Sequence, residues 1–330
     1  MKQRIEWLAV LRGLNILLVV MVHVQLIDIS TGTNHLFCKL MTFPFHPVRM
    51  PLFIFVSGGL LYLSRIKKNV SVADLYKDKF QRIMIPFFFF VLVYFIIKAL
   101  FNEFTKSPME ISWSYFFQSF IYYRGGYPSE PLWYLAVLMF LMLMYPLYCY
   151  LCNSKWKMLS FFLFCCATYF IDTDLNSTWN VCYILELQHY LVYFFFGIFF
   201  FRYELYQYIT KDTFVVGLII AYGLLYHYNI SLITSLEGII MMCAVCMKVA
   251  HYIPSLFSSF REYIFQIYLM SMPFQVFVEL ILWKHLFYNE QWFYLFYVLN
   301  VSFGLIIPVI ISKVVEHCPV RIIRFCFGLT

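Results

Sequence analysis

The chain has 330 residues, of which 63% are hydrophobic, 22% aromatic and only 12% charged, with a mean hydropathy of +0.77. A water-facing globular surface draws on roughly a quarter of its residues as charges, so this composition excludes an ordinary soluble domain. The net charge of +7 sits in short stretches between apolar runs, the pattern of membrane topology signals, which excludes a nucleic-acid partner.

A bilayer-spanning helix needs about 17–25 predominantly apolar residues. Such runs lie at 6–29, 50–66, 83–101, 131–151, 158–172, 188–204, 213–229, 230–250, 263–283 and 292–313. They predict an all-α, polytopic membrane protein of about ten transmembrane helices, forming a single domain over residues 1–330 with no fused soluble domain. The basic start, Met1-Lys2-Gln3-Arg4, is like a signal-peptide n-region. The run behind it is too long for an h-region and ends in no small-residue cleavage site, so a retained first helix is expected. The aromatic stretch from Trp113 to Tyr123 reads as an interfacial or re-entrant helix.

Orientation follows from the cations. With the N-terminus in the cytoplasm, alternation places Lys2, Arg4, the cluster Arg65, Lys67, Lys68, Lys77, Lys79 and Arg82, and then Lys155, Lys157, Arg202, Lys211, Lys248, Arg261, Lys313, Arg321 and Arg324 inside. Lys39, Arg49, Lys98, Lys106, Arg124 and Lys284 fall outside or near the outer ends. This excess predicts both termini in the cytoplasm.

The first apolar run carries polar residues that a lipid-facing helix avoids. Arg12 and His23 are 11 residues apart; at about 100° per residue they share one helix face, separated by about 16 Å along the axis. Asn15, one turn after Arg12, lies near that face. Arg within a membrane helix costs at least about 2.5–3.5 kcal/mol, a cost offset in a polar groove. An alternative is that Arg12 snorkels to the inner headgroups and His23 is a packing residue. The shared face favours a functional groove, in which a neutral His accepts a proton and an Arg holds an anion.

The second run opens Arg49-Met50-Pro51-Leu52-Phe53 and continues to Ser57-Gly58-Gly59. Pro51 suits a first helical turn, and the small residues suit close helix approach, which makes packing the leading role for Ser57 beside a substrate contact. Lys79 and Arg82 are one turn apart ahead of Pro86, so a helix would point both the same way, to grip phosphates or simply to mark topology. Trp133 begins a helix where an interface anchor is usual. Cys243 and Cys246 form a C-x-x-C without a second ligand pair, read as buried packing rather than metal binding. Glu237, Glu279 and Asp28 lie in or near apolar runs, with solvation at helix ends as the default.

Taken in order, these segments resemble the acyltransferase 3 family of membrane O-acyltransferases. The matching features are Arg12 and His23 as its R-x10-H, Met50-Pro51-Leu52-Phe53 through Ser57-Gly58, Lys79 and Arg82 ahead of Pro86, Leu132-Trp133-Tyr134-Leu135, and the later Ile267-Tyr268-Leu269. The resemblance implies transfer of an acyl group, commonly acetyl, from cytoplasmic acyl-CoA to a hydroxyl of a surface or exported polysaccharide or glycolipid. It implies His23 as catalytic residue with Arg12 as its partner in donor handling. Arg82, with Lys79, would be the inner-mouth cations, and Trp133 the family's aromatic; Ser57 and Asn15 complete the candidate substrate contacts. It implies no bound cofactor or metal, a multi-pass location in a bacterial inner membrane, and any extracytoplasmic handover partner as a separate protein. An exporter or flippase of a lipid-linked glycan is the alternative. Arg49 and Ser271 stand where many members carry histidine.

Overall fold

A computed structural model describes residues 5–26, 35–104, 108–122, 126–171, 180–209, 212–228, 230–286 and 289–329. It is 80% helical, with no strand among the described residues. In chain order the α-helices are α1 (Glu6–Val22), α2 (Leu36–Thr42), α3 (Arg49–Ser64), α4 (Val72–Lys79), α5 (Ile85–Leu100), α6 (Trp113–Ile121), α7 (Trp133–Leu143) and α8 (Tyr145–Leu151). They continue as α9 (Lys155–Tyr169), α10 (Ile184–Arg202), α11 (Asp212–His227), α12 (Ser231–Tyr252), α13 (Ile264–Phe277), α14 (Phe293–Glu316) and α15 (Arg321–Cys326).

Every apolar run of the sequence contains a helix. Among the described residues, six helical stretches are long and apolar enough to cross a membrane, and a seventh joins them if the bent pair α7–α8 is one span. The other helices in apolar runs, α1, α9 and α11, have 17, 15 and 16 residues.

Boundaries moved for local reasons. The first run extends to residue 29, yet α1 ends at Val22 because the chain tightens: His23 N–H donates to Val20 O at 3.2 Å and Val24 N–H to Met21 O at 3.2 Å, both three residues back. Residues 27–29, and with them Asp28, lie outside the described residues. The run at 131–151 breaks at Met144 with a 52° bend, where Pro146 enters the first turn of α8. Tyr76 Oη donates to the Leu143 carbonyl at the break, at 2.7 Å. The run at 83–101 starts earlier than its hydropathy suggests, since α4 leads through a π-helical turn, Phe80–Met84, into α5. Pro86 accounts for this turn: it has no N–H for the Arg82 carbonyl four residues back, and its ring crowds that carbonyl. The segment beginning at Trp113 folds as the nine-residue α6, capped by Ser112 Oγ accepting from Tyr115 N. At about 1.5 Å per residue it is too short to cross a bilayer.

The chain forms two compact units, one of Met1–Val56 with Tyr203–Lys313 and the other of Ser57–Arg202 with Val314–Thr330. In the first, α1 packs against α12 and α13, and α11 against α12. Its core includes Ile16, Val19 and Val20 of α1 against Ile264 and Ile267 of α13. The N-terminal end of α1 is tied by Glu6 to Arg261 at 3.3 Å; Arg261 also donates to Pro254 O at 2.7 Å, closing the turn before α13. In the second unit α9 and α7 pack on α10, and α15 on α5. Gly58 faces the Phe194 carbonyl and Gly59 the Phe201 ring so closely that a Cβ at either would collide. The small residues of the second run therefore serve close approach to α10.

Candidate functional site

Arg12, Asn15 and His23 belong to the first unit; Ser57, Lys79, Arg82 and Trp133 belong to the second.

In the first unit, Arg12 and His23 are both half-buried. His23 is the C-cap of α1, one residue beyond its last helical turn. Asn15 is 1% exposed, and both ends of its carboxamide are used by α3. Its nitrogen donates to Arg49 O at 3.0 Å and its oxygen accepts from Phe53 N at 3.0 Å. These backbone groups are an i, i+4 pair, so Asn15 grips the first turn of α3 along its own hydrogen-bond ladder. The helix opened by Met50-Pro51 is thereby registered against the helix that carries Arg12 and His23. Arg49 lies within electrostatic reach of the imidazoles of both His23 and His46.

The C-terminal end of α1 is held by two residues that charge and motif spacing did not reveal. Gln275 Nε2 of α13 donates to Val20 O at 2.8 Å and to Asn300 Oδ1 of α14 at 3.0 Å, and Asn300 Nδ2 donates to Gln275 O at 3.1 Å. Both side chains are buried. The available signal was an uncharged amide inside each of two late apolar runs, a residue type costly in lipid unless paired.

In the second unit, Lys79 and Arg82 do point the same way, and they converge on Asp78. Arg82 Nε lies 2.9 Å from Asp78 Oδ1, Lys79 Nζ 3.7 Å from Oδ2, and a third cation, Arg65 at the end of α3, places Nη2 2.8 Å from Oδ2. Three cations around one carboxylate leave an excess of two positive charges. The Arg82 side chain is 51% exposed, against 26% for Arg65 and 20% for Lys79, so the guanidinium of Arg82 is the part of the cluster open to an anion. The part of Asp78 as the hub rests on the π-helical turn that sets Arg82. Ser57 Oγ and Tyr134 Oη share a hydrogen bond at 2.7 Å, which joins α3 to α7 beside Trp133. Trp133 is half-buried, its ring 5.0 Å from that of Tyr190.

The remaining candidates are packing or shielding groups. Cys243 and Cys246 are buried free thiols, and no group of three or more His, Cys, Asp or Glu among the described residues is arranged to hold a metal ion. Glu279 is 5% exposed. Both carboxylate oxygens of Glu237 are buried without a hydrogen bond. Glu279 and the carboxylate oxygens of Glu237 are thus buried rather than solvated at a helix end.

An all-helical chain with several membrane-crossing helices, amides spent on interhelical contacts, and a basic cluster at one helix junction defines a multi-pass membrane protein. A family model described as "Acyltransferase domain", of the acyltransferase 3 type, matches residues 5–313. The chain belongs to the acyltransferase 3 family, and its class is that of membrane acyltransferases. No curated protein and no solved structure matches it.

Proposed function

We propose that the protein transfers an acyl group, acetyl in the first instance, from cytoplasmic acyl-CoA to a hydroxyl of a surface or exported polysaccharide or glycolipid. The observation that carries this reading is the family match across residues 5–313, which includes both the Arg12–His23 helix and the Arg82 cluster. In this reading the bilayer is the inner membrane, crossed about ten times with both termini cytoplasmic.

The roles follow from residue chemistry. Arg82 and Lys79, with Arg65, bind the anionic phosphates of the CoA moiety by charge-assisted hydrogen bonds. His23, neutral, takes the proton of the acceptor hydroxyl as its oxygen attacks the thioester carbonyl. The C–S bond then breaks, the CoA sulfur leaves with the electron pair, and the imidazolium returns the proton to it. Arg12 stabilises negative charge on the donor or on the developing oxyanion. Trp133 offers an aromatic face to the substrate. Ser57, held by Tyr134, orders the α3–α7 contact beside it, and Asn15 keeps α1 and α3 in register.

The test uses purified protein in nanodiscs with radiolabelled acetyl-CoA and a mixed glycan acceptor pool, comparing wild type with His23→Ala and Arg12→Ala. Label transfer and CoA release in wild type, both lost in folded His23→Ala, are expected. Absence of acyl-CoA binding together with measurable glycan transport would replace this reading with that of an exporter.

A further inference from the structure

We propose that Gln275 and Asn300 form a clamp that positions His23, so that two late helices set the geometry of the proton-transfer group on the first. Its catalytic consequence rests on the acyltransfer reading above; the clamp itself rests on geometry within the first unit.

The Val20 carbonyl takes two donors, the His23 backbone N–H at 3.2 Å and Gln275 Nε2 at 2.8 Å. A carbonyl oxygen has two lone pairs, so both bonds form at once. Gln275 is in turn fixed twice by Asn300, through its side-chain nitrogen and through its backbone carbonyl. The amide that holds Val20 O therefore has little rotational freedom. The His23 backbone hangs on the same carbonyl, one residue past the end of the α-helical ladder, where a helix otherwise frays.

Space for the clamp comes from Gly304, one turn after Asn300 on α14. A Cβ there would lie 2.9 Å from Val20 Cγ1 and 3.0 Å from Gln275 Cδ. Three helices thus meet at the turn preceding His23. Plain packing would be served as well by apolar side chains, and more cheaply: Gln275 Oε1 is buried without a hydrogen bond, and such an atom costs about 1–3 kcal/mol. A group retained at that cost is better explained by what its nitrogen holds. On α13 Ser271 lies one turn before Gln275, and both are buried.

The variants are Gln275→Met, which keeps length without the hydrogen bonds, and Asn300→Ala, which frees the Gln275 amide while leaving its bond to Val20 available. The readout independent of turnover is diethyl pyrocarbonate modification followed by mass spectrometry, comparing His23 with His251 and His317 in the same sample. Faster modification of His23 alone is expected in both variants, and more so in Gln275→Met. In the transferase assay kcat should fall about 10- to 100-fold, since small misplacement of a catalytic group has that effect, with KM for acetyl-CoA changed less than about twofold. His23→Ala combined with Gln275→Met should be no slower than His23→Ala alone, because a positioning residue acts only through the group it positions. Unchanged His23 modification in folded Gln275→Met or Asn300→Ala overturns the clamp. Additive losses in the double variant overturn its catalytic role. Altered His23 modification in a protein whose wild type transfers no acyl group overturns the acyltransfer reading and leaves the clamp standing.

Discussion

Replacing Arg82 with alanine is expected to weaken binding of intact acetyl-CoA while sparing a donor that lacks phosphates. Arg82 Nε lies 2.9 Å from Asp78 Oδ1, and the side chain is 51% exposed, which leaves the guanidinium accessible to an incoming phosphate. A hydrogen bond to a charged group contributes about 1.5–3 kcal/mol, and half-exposure to water and salt reduces that. About 1–2 kcal/mol is a reasonable figure, which corresponds to roughly a 5- to 30-fold rise in Kd. Asp78 would still be paired with Arg65 at 2.8 Å and approached by Lys79 at 3.7 Å, so no carboxylate is stranded and the fold should survive. The assay is competition binding in nanodiscs with acetyl-CoA and with acetyl-pantetheine, at low and high salt. The acetyl-CoA effect should shrink as salt rises, and acetyl-pantetheine should bind both proteins equally. An equal loss for both donors, or no loss for either, would refute the assignment of this cluster to the donor phosphates.

Other perturbations probe the framework. Gly58→Val drives a side chain into the Phe194 carbonyl, a backbone atom that cannot turn aside, and should cost about 1–3 kcal/mol or more in unfolding experiments; a variant as stable as wild type would contradict the close approach of α3 and α10. Asn15→Leu removes both bonds to the first turn of α3 and should lower stability by about 1–2 kcal/mol, read as a lower melting midpoint in detergent. Glu237→Gln replaces a carboxylate whose two oxygens are buried without partners and should raise that midpoint. A fall would mean that the carboxylate is held by a contact the amide cannot reproduce.

Much of the architecture was legible in the residue order because lipid imposes a simple rule: backbone polar groups must be satisfied within the segment, so a long apolar run becomes a helix. All ten runs obeyed it. The rule was weakest where side chains or prolines intervene in the ladder. The end of α1 at Val22 depends on two three-residue bonds, and the bend at Met144 depends on Pro146. Neither disturbs hydropathy, so neither interrupts the apolar pattern. The common direction of Lys79 and Arg82 followed from their spacing, whereas the recruitment of Arg65 from thirteen residues before Asp78 required the turn between α3 and α4 to be known.

The sequence by itself determined the solvent this protein lives in, the helical character of its apolar runs and the family to which its motifs point. These are properties of composition and of short spacing, and each is written within a few turns of chain. Only the tertiary structure decided what the uncharged polar residues do. Asn15 reaches the backbone of α3, Ser57 reaches Tyr134, and Gln275 reaches across 255 residues to Val20. An amide or hydroxyl in a membrane helix must find a partner, but one-dimensional spacing carries no information about which distant carbonyl, amide or hydroxyl that partner will be. Helix packing supplies it.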